Sequence, residues 1–163
     1  MTNPFIHLRC LSSYSLSEST LKIKKLVNLA KKNNMPALAI TDNNNMFGVF
    51  EFAQECINNN IQPIIGTSIN LLDVQDKNTI SQLSFLVKNE IGYKNLIYLS
   101  SLSYLNKNKD VGINIADIEG HTEGLFCFLG GEFNPLLILN HQNIQSDDLI
   151  NILKKLFQKN LLF

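Results

Sequence analysis

The chain has 163 residues, 45% of them hydrophobic, with 14 Lys+Arg against 14 Asp+Glu. That is enough for one domain with a sizeable core, and the sparse, balanced charge gives no basic patch for nucleic acid and no acidic tail. No apolar run reaches the ~18–20 residues of a membrane span, no secretory signal opens the sequence, and three scattered cysteines without a CxxC pair exclude a zinc ribbon. A cytoplasmic protein is expected, with free buried thiols at Cys10, Cys56 and Cys127.

In chain order, the short apolar run "FIHLRCL" (5–11) predicts a first strand, and "SSYSLSEST" a polar loop. A helix is predicted over 21–33, capped by Thr20. Ile23, Leu26, Val27 and Ala30 repeat at helical spacing and form one buried stripe. Asn33 and Asn34 suit the exit of that helix. "MPALAIT" (35–41) is a continuous apolar strand of the kind covered on both faces. "NMFGVFEFAQECINNN" predicts a second helix with Phe47, Phe50, Ala53 and Ile57 on one side.

"IQPIIGTSINLL" (61–72) is a further strand, "DVQDKNTISQ" an exposed turn, and "LSFLVKN" another strand. The β-α-β-α-β series implies parallel strands and right-handed crossovers. "IGYKNLIYLSSLSYL" is a helix turning Leu96, Leu99 and Ser100 to Leu102 inward. "GLFCFLGG" (124–131) is a strand ended by glycines. Helices over 135–141 and about 147–159 follow, and "NLLF" reads as the opening of another strand. No repeat or linker divides the sequence, which gives the expectation of an architecture that continues past residue 163.

One stretch carries a possible chemistry. In "ITDNNNMFG" (40–48), Asp42 ends a buried strand beside a polar loop, where α/β proteins place functional groups. Elsewhere the signals are bland. Gly130-Gly131 has no following Lys-Ser/Thr and is no phosphate loop. The hydroxyl-rich 12–20 stretch has no triad partners at a recognised spacing.

Five segments, "FIHLRCLSSYS", "MPALAITDNNNMFG", "QPIIGTSINL", "LVKNEIGYKNLIYLSS" and "EGLFCFLGGEFNPL", resemble in order the opening of the bacterial DNA polymerase III alpha-subunit family. That opening is a PHP (polymerase and histidinol phosphatase) domain, and the resemblance runs to about residue 160. It implies an α/β fold of the distorted (β/α)7 barrel type, incomplete in this chain, with 1–163 the N-terminal part of the domain and the polymerase domains absent. Active members hold a metal cluster at the C-terminal ends of the strands.

The resemblance places the family's ligand positions residue by residue. Its His-x-His pair precedes the Ser of Tyr-Ser by six and four residues, which gives Arg9 and Leu11. Its Asp-His-Gly becomes Asp42, Asn43 and Asn44, and its Glu two residues after Gly66 becomes Ser68. Guanidinium has no lone pair to donate, Leu has no donor atom, and an amide is a poor substitute for imidazole. Only Asp42 keeps its type, so no metal and no phosphoesterase activity are expected. His7 lies two residues too early to be a ligand and is expected to be structural; His121 and His141 are expected to be surface or loop residues. Asp42 needs a partner if buried. Arg9, the only arginine, is the expected ion-pair partner; the alternative is a helix cap through the amides of Asn45 or Met46.

The functional implication is a non-catalytic scaffold. By resemblance the full-length protein would be a DNA-directed DNA polymerase (a nucleotidyltransferase) using Mg, with its carboxylates outside this segment. The segment itself would need no cofactor and would dock the proofreading exonuclease subunit, with no direct nucleic-acid or membrane contact. The rival is a stand-alone metal-dependent PHP phosphoesterase. Isolated, a piece of barrel with an open edge is expected to be marginally soluble.

Overall fold

The computed structural model describes residues 5–75, 80–105, 110–130, 133–141 and 147–162. Its elements are α1 (Ile23–Lys32), β1 (Ala37–Ile40), α2 (Val49–Asn58), β2 (Gln62–Gln75), β3 (Ile80–Val87), α3 (Glu90–Leu105), β4 (Leu125–Phe128), α4 (Pro135–His141), α5 (Asp147–Phe157) and β5 (Leu161–Leu162). The strands form one sheet in the order β1-β2-β3-β4-β5. It is a mixed α/β architecture in which the sheet does not close, leaving β1 and β5 at its edges.

α1 forms as its stripe predicts: Ile23, Leu26, Val27 and Ala30 are all buried. Asn33 ends the helix and Asn34 follows at φ 53°, a conformation asparagine tolerates better than most side chains. Thr20 does not cap it; Lys22 holds that position without a side-chain bond. In α2 the buried face is Val49, Phe52 and Cys56, whereas Phe47, Phe50 and Ile57 are 71, 74 and 65% exposed. The apolar residues of this helix span one arc wider than a contact face, opposite Glu51, Gln54, Glu55 and Asn58, so periodicity alone could not choose which flank of the arc is buried. The fold turns inward the side that meets Ile23, Val27, Leu38 and Ile40, and these residues form the smaller of two cores.

The larger core joins β2, β3 and β4 to α3 and α5 through Ile69, Leu83, Phe85, Leu96, Leu99, Cys127, Leu153 and Phe157. On α3, Leu96 and Leu99 turn inward as expected; Ser103, rather than Ser101, completes the buried face. Met46 contacts both cores.

The parallel pairing that the β-α-β series implies holds between β1 and β2 and does not extend to β3. β1 pairs β2 in parallel across α2, and β4 pairs β5 in parallel, but β3 runs antiparallel to both β2 and β4. Only residues 76–79 separate β2 from β3, and a parallel crossover needs about a dozen residues or more. The stretch 73–82 is therefore mostly strand, with 76–79 outside the described residues. The first predicted strand is also absent. Residues 7–10 run beside β1 without forming a ladder: Ala39 donates to the His7 carbonyl (2.9 Å) and Thr41 to that of Cys10 (2.8 Å). No helix among the described residues is long and apolar enough to cross a membrane.

Candidate functional site

Beyond β1 the backbone keeps its alignment with β2. The Asp42 carbonyl accepts from Thr67 Oγ1 (2.6 Å) and from the Ser68 amide (3.1 Å). Asn43 bridges Ser68 in parallel register, and the Asn44 amide donates to the Ser68 carbonyl (2.6 Å). Asn44 sits at φ 54° and its Oδ1 accepts from the Asn70 amide (2.9 Å). A left-handed residue here suits glycine, and asparagine is the side chain best able to replace it. This turn holds Asp42 and Asn43 at the C-terminal edge of the sheet.

Asp42 is 2% exposed. Its Oδ1 accepts from the Ser12 amide and from Ser15 Oγ, and its Oδ2 from Ser12 Oγ, each at 2.6 Å. A buried carboxylate is stable only when its lone pairs are met, and three short bonds to an ionised acceptor meet them. Each serine is itself oriented. Ser15 Oγ accepts from the Asn43 amide (3.1 Å), and Ser12 Oγ from the Tyr14 amide (3.2 Å), which directs both hydroxyl protons to Asp42. Thus the loop 12–15 wraps the carboxylate with neutral donors.

The expected Arg9–Asp42 pair is not formed. Among the described residues the only ion pair within 4.0 Å is Lys94–Glu90, and the Arg9 Nε is buried without a hydrogen-bond partner. Arg9 and Leu11 line a cleft against α1 with Leu26, Leu29 and Leu38, while Asp42, Asn43 and Ser68 meet at the sheet edge. The amides of Asn45 and Met46 do not cap Asp42 either; instead Asn45 braces the turn from its side chain, to the carbonyls of Tyr14 and Asn43. The sequence signal for the real partners was the hydroxyl run at 12–15, legible only as a loop. Its spacing says nothing about which acceptor lies 27–30 residues away.

The remaining ligand positions are occupied by other chemistry. Ser68 Oγ shares a 2.7 Å bond with Ser84 Oγ. Asn43 Nδ2 donates to the Glu18 carboxylate, which fixes the amide's orientation, because the amide oxygen cannot face a carboxylate. Among the described residues Asn43 Oδ1 is left buried without a partner. A cleft of about 310 Å³ opens here between Tyr14, Glu18, Asn43, Phe47 and Tyr104. His7 is exposed and edge-on to Phe5, and His121 stacks on Tyr98 at 4.0 Å, both away from Asp42. The side chain of His141 lies outside the described residues. Among those residues no three His, Cys, Asp or Glu side chains converge. Among the described residues the donor set does not fit a metal cluster: the Asp42 carboxylate is engaged by three hydroxyl and amide donors, the Glu18 carboxylate by Asn43, and no imidazole stands beside them.

Two titrations are displaced near the site. Burial pushes the Cys10 thiol up to about 11. The Tyr14 hydroxyl is raised by its 3.2 Å bond to the Glu51 carboxylate, which favours the protonated phenol.

Comparison with known proteins matches the PHP domain family over residues 7–163. The DNA polymerase III subunit alpha of Rickettsia conorii is 37% identical over 147 residues, 87% of this chain and 12% of that protein. The subunit of the same name from Rickettsia felis is 40% identical over 143 residues, 85% of this chain and 12% of that protein. That of Borreliella burgdorferi is 39% identical over 164 residues, 94% of this chain and 14% of that protein. The chain therefore spans only 12–14% of the length of these relatives. Among solved structures, an amidohydrolase from Chromobacterium violaceum is similar at a TM-score of 0.44 and 15% identity, covering 60% of this chain and 32% of that one. With the family pattern matched across both cores and the Asp42 turn, the chain belongs to the PHP domain family.

Proposed function

We propose that this is a metal-free, non-catalytic PHP domain resembling the N-terminal region of a DNA polymerase III alpha subunit, and that it serves as a scaffold. The observation that carries this reading is the Asp42 carboxylate, whose two oxygens are taken by Ser12 and Ser15. These donors hold the carboxylate as a structural group, and with Arg9, Leu11, Asn43 and Ser68 at the other ligand positions it has no co-ligands, while the fold around it is retained. The complete protein would be a cytoplasmic DNA-directed DNA polymerase in replication, using Mg through carboxylates elsewhere. This segment would dock the proofreading exonuclease subunit and make no direct contact with nucleic acid.

Elemental analysis of the purified chain tests the first part, together with hydrolysis of p-nitrophenyl phosphate in the presence of Mn²⁺. Substoichiometric Zn, Mn and Fe, and no turnover above buffer, are expected. Stoichiometric metal with turnover would favour a phosphoesterase and overturn the scaffold reading. Co-purification of the exonuclease subunit with the complete polymerase, and its loss when residues 1–163 are deleted, tests the docking role.

A further inference from the structure

The Arg9 cleft is a second place where chemistry is left unfinished. It has a volume of about 400 Å³ and lies between residues 7–11 and α1. Leu11, Leu21, Leu26, Leu29, Met35 and Leu38 supply most of its wall, with Arg9, His7 and Asn33 as its polar side chains. None of the described residues that line it is acidic. Among the described residues the Nε of the half-buried Arg9 has no hydrogen-bond partner, and no carboxylate reaches its guanidinium within 4.0 Å. Asn33 does not relieve it: its Oδ1 is not bonded to Arg9 Nε, and its Nδ2 donates to the Leu29 carbonyl (2.8 Å).

The Nε itself is buried, and what the cleft offers a ligand is the rest of the Arg9 guanidinium, a permanent cation with no counter-ion among the described residues. The cleft is concave and largely apolar, and small-ligand sites have that character at volumes of about 300–1,000 Å³. From these observations we infer that the cleft is a binding site for a small amphiphilic carboxylate. The anionic head would lie on the Arg9 guanidinium and the aliphatic body along Leu26, Leu29 and Leu38. The planar fork of Arg matches a carboxylate in two parallel bonds. A phosphate dianion is the poorer fit, because one cation among leucines leaves its second charge uncompensated. The site is independent of the Asp42 cluster and of the scaffold reading.

The test titrates sodium octanoate into the 163-residue chain and follows leucine methyl and Arg9 Nε–H resonances by NMR. Saturable shifts confined to Arg9, Leu26, Leu29 and Leu38 are expected, with octylammonium giving none. Arg9→Gln weakens binding by about tenfold or more by removing the fork. Leu29→Glu, at an exposed position on the cleft wall, also blocks octanoate while leaving the rest of the spectrum in place. Octanoate binding that survives both substitutions, or equal binding of octylammonium, overturns the proposal. Tighter binding of acetyl-Leu-Asp-Leu-amide than of octanoate also overturns it, since that would make the cleft a groove for a protein segment.

Discussion

Ser12 holds Asp42 twice: its amide bonds Oδ1 and its hydroxyl bonds Oδ2, both at 2.6 Å. One residue thus chelates both oxygens of a buried carboxylate from a loop 30 positions away. Ser15 adds the third donor. The grip fixes the N-terminal segment to the end of β1 and makes Asp42 a structural residue. Asp42→Ala strands those donors and is expected to cost about 2–4 kcal/mol, and Ser12→Ala about 1–2 kcal/mol. Arg9→Gln, which breaks no ion pair, should cost less than either. Urea denaturation followed by circular dichroism ranks the three. An Arg9→Gln loss equal to that of Asp42→Ala would contradict the assignment.

On α2, two phenylalanines two residues apart have opposite environments. Phe52 is fully buried and Phe50 is 74% exposed. Phe52→Ala is expected to cost about 3–5 kcal/mol through lost burial and a cavity. Phe50→Ala should lie within about 0.5 kcal/mol of the parent. Thermal or urea unfolding separates them, and a larger loss for Phe50→Ala than for Phe52→Ala would mean that the helix sits with its other face inward.

Gly92, in the first turn of α3, packs directly on the backbone carbonyl of Gly124, where a Cβ would overlap rigid atoms. Gly124 in turn has φ 73° and accepts from the Lys88 amide at 2.8 Å. Neither neighbour can retreat without breaking the entry to β4. Gly92→Ala is expected to destabilise by more than about 2 kcal/mol. The same unfolding assay checks it, and a neutral result would contradict the close approach.

The three cysteines are free. Burial raises the Cys10 thiol to about 11, that of Cys56 to about 12, and that of Cys127 further still, all from 9.0. The sign follows from linkage: as pH passes 9, the unfolded chain releases thiol protons that the folded chain still holds. Stability from the neutral thiols is therefore full below about pH 9 and is lost as pH rises through 11–12. Urea midpoints should fall between pH 8 and pH 11, less steeply in Cys56→Ala. Thiol labelling at pH 8 should modify Cys56 and Cys127 only after denaturant is added. Rapid labelling of the native chain would contradict their burial.

The sequence determined the elements with an unambiguous period or composition. α1 has one apolar stripe, so Ile23, Leu26, Val27 and Ala30 could face only one way. β1 is continuously apolar, so it had to be covered on both faces. The change of ligand types at Leu11, Asn43 and Ser68 was equally plain, since donor chemistry belongs to the side chain and needs no coordinates. The tertiary structure decided what depends on distant neighbours. It chose Phe52 over Phe50 on a helix whose apolar arc is wider than one contact face, and it set β3 antiparallel through a connection too short to cross over. It also assigned the partner of Asp42. A lone arginine made the simplest counter-ion, yet the carboxylate is met by Ser12 and Ser15, while Arg9 lines another cleft. Hydrogen bonds are short and directional, so the path of residues 9–15 past the end of β1, invisible in their spacing, settled which donors Asp42 receives.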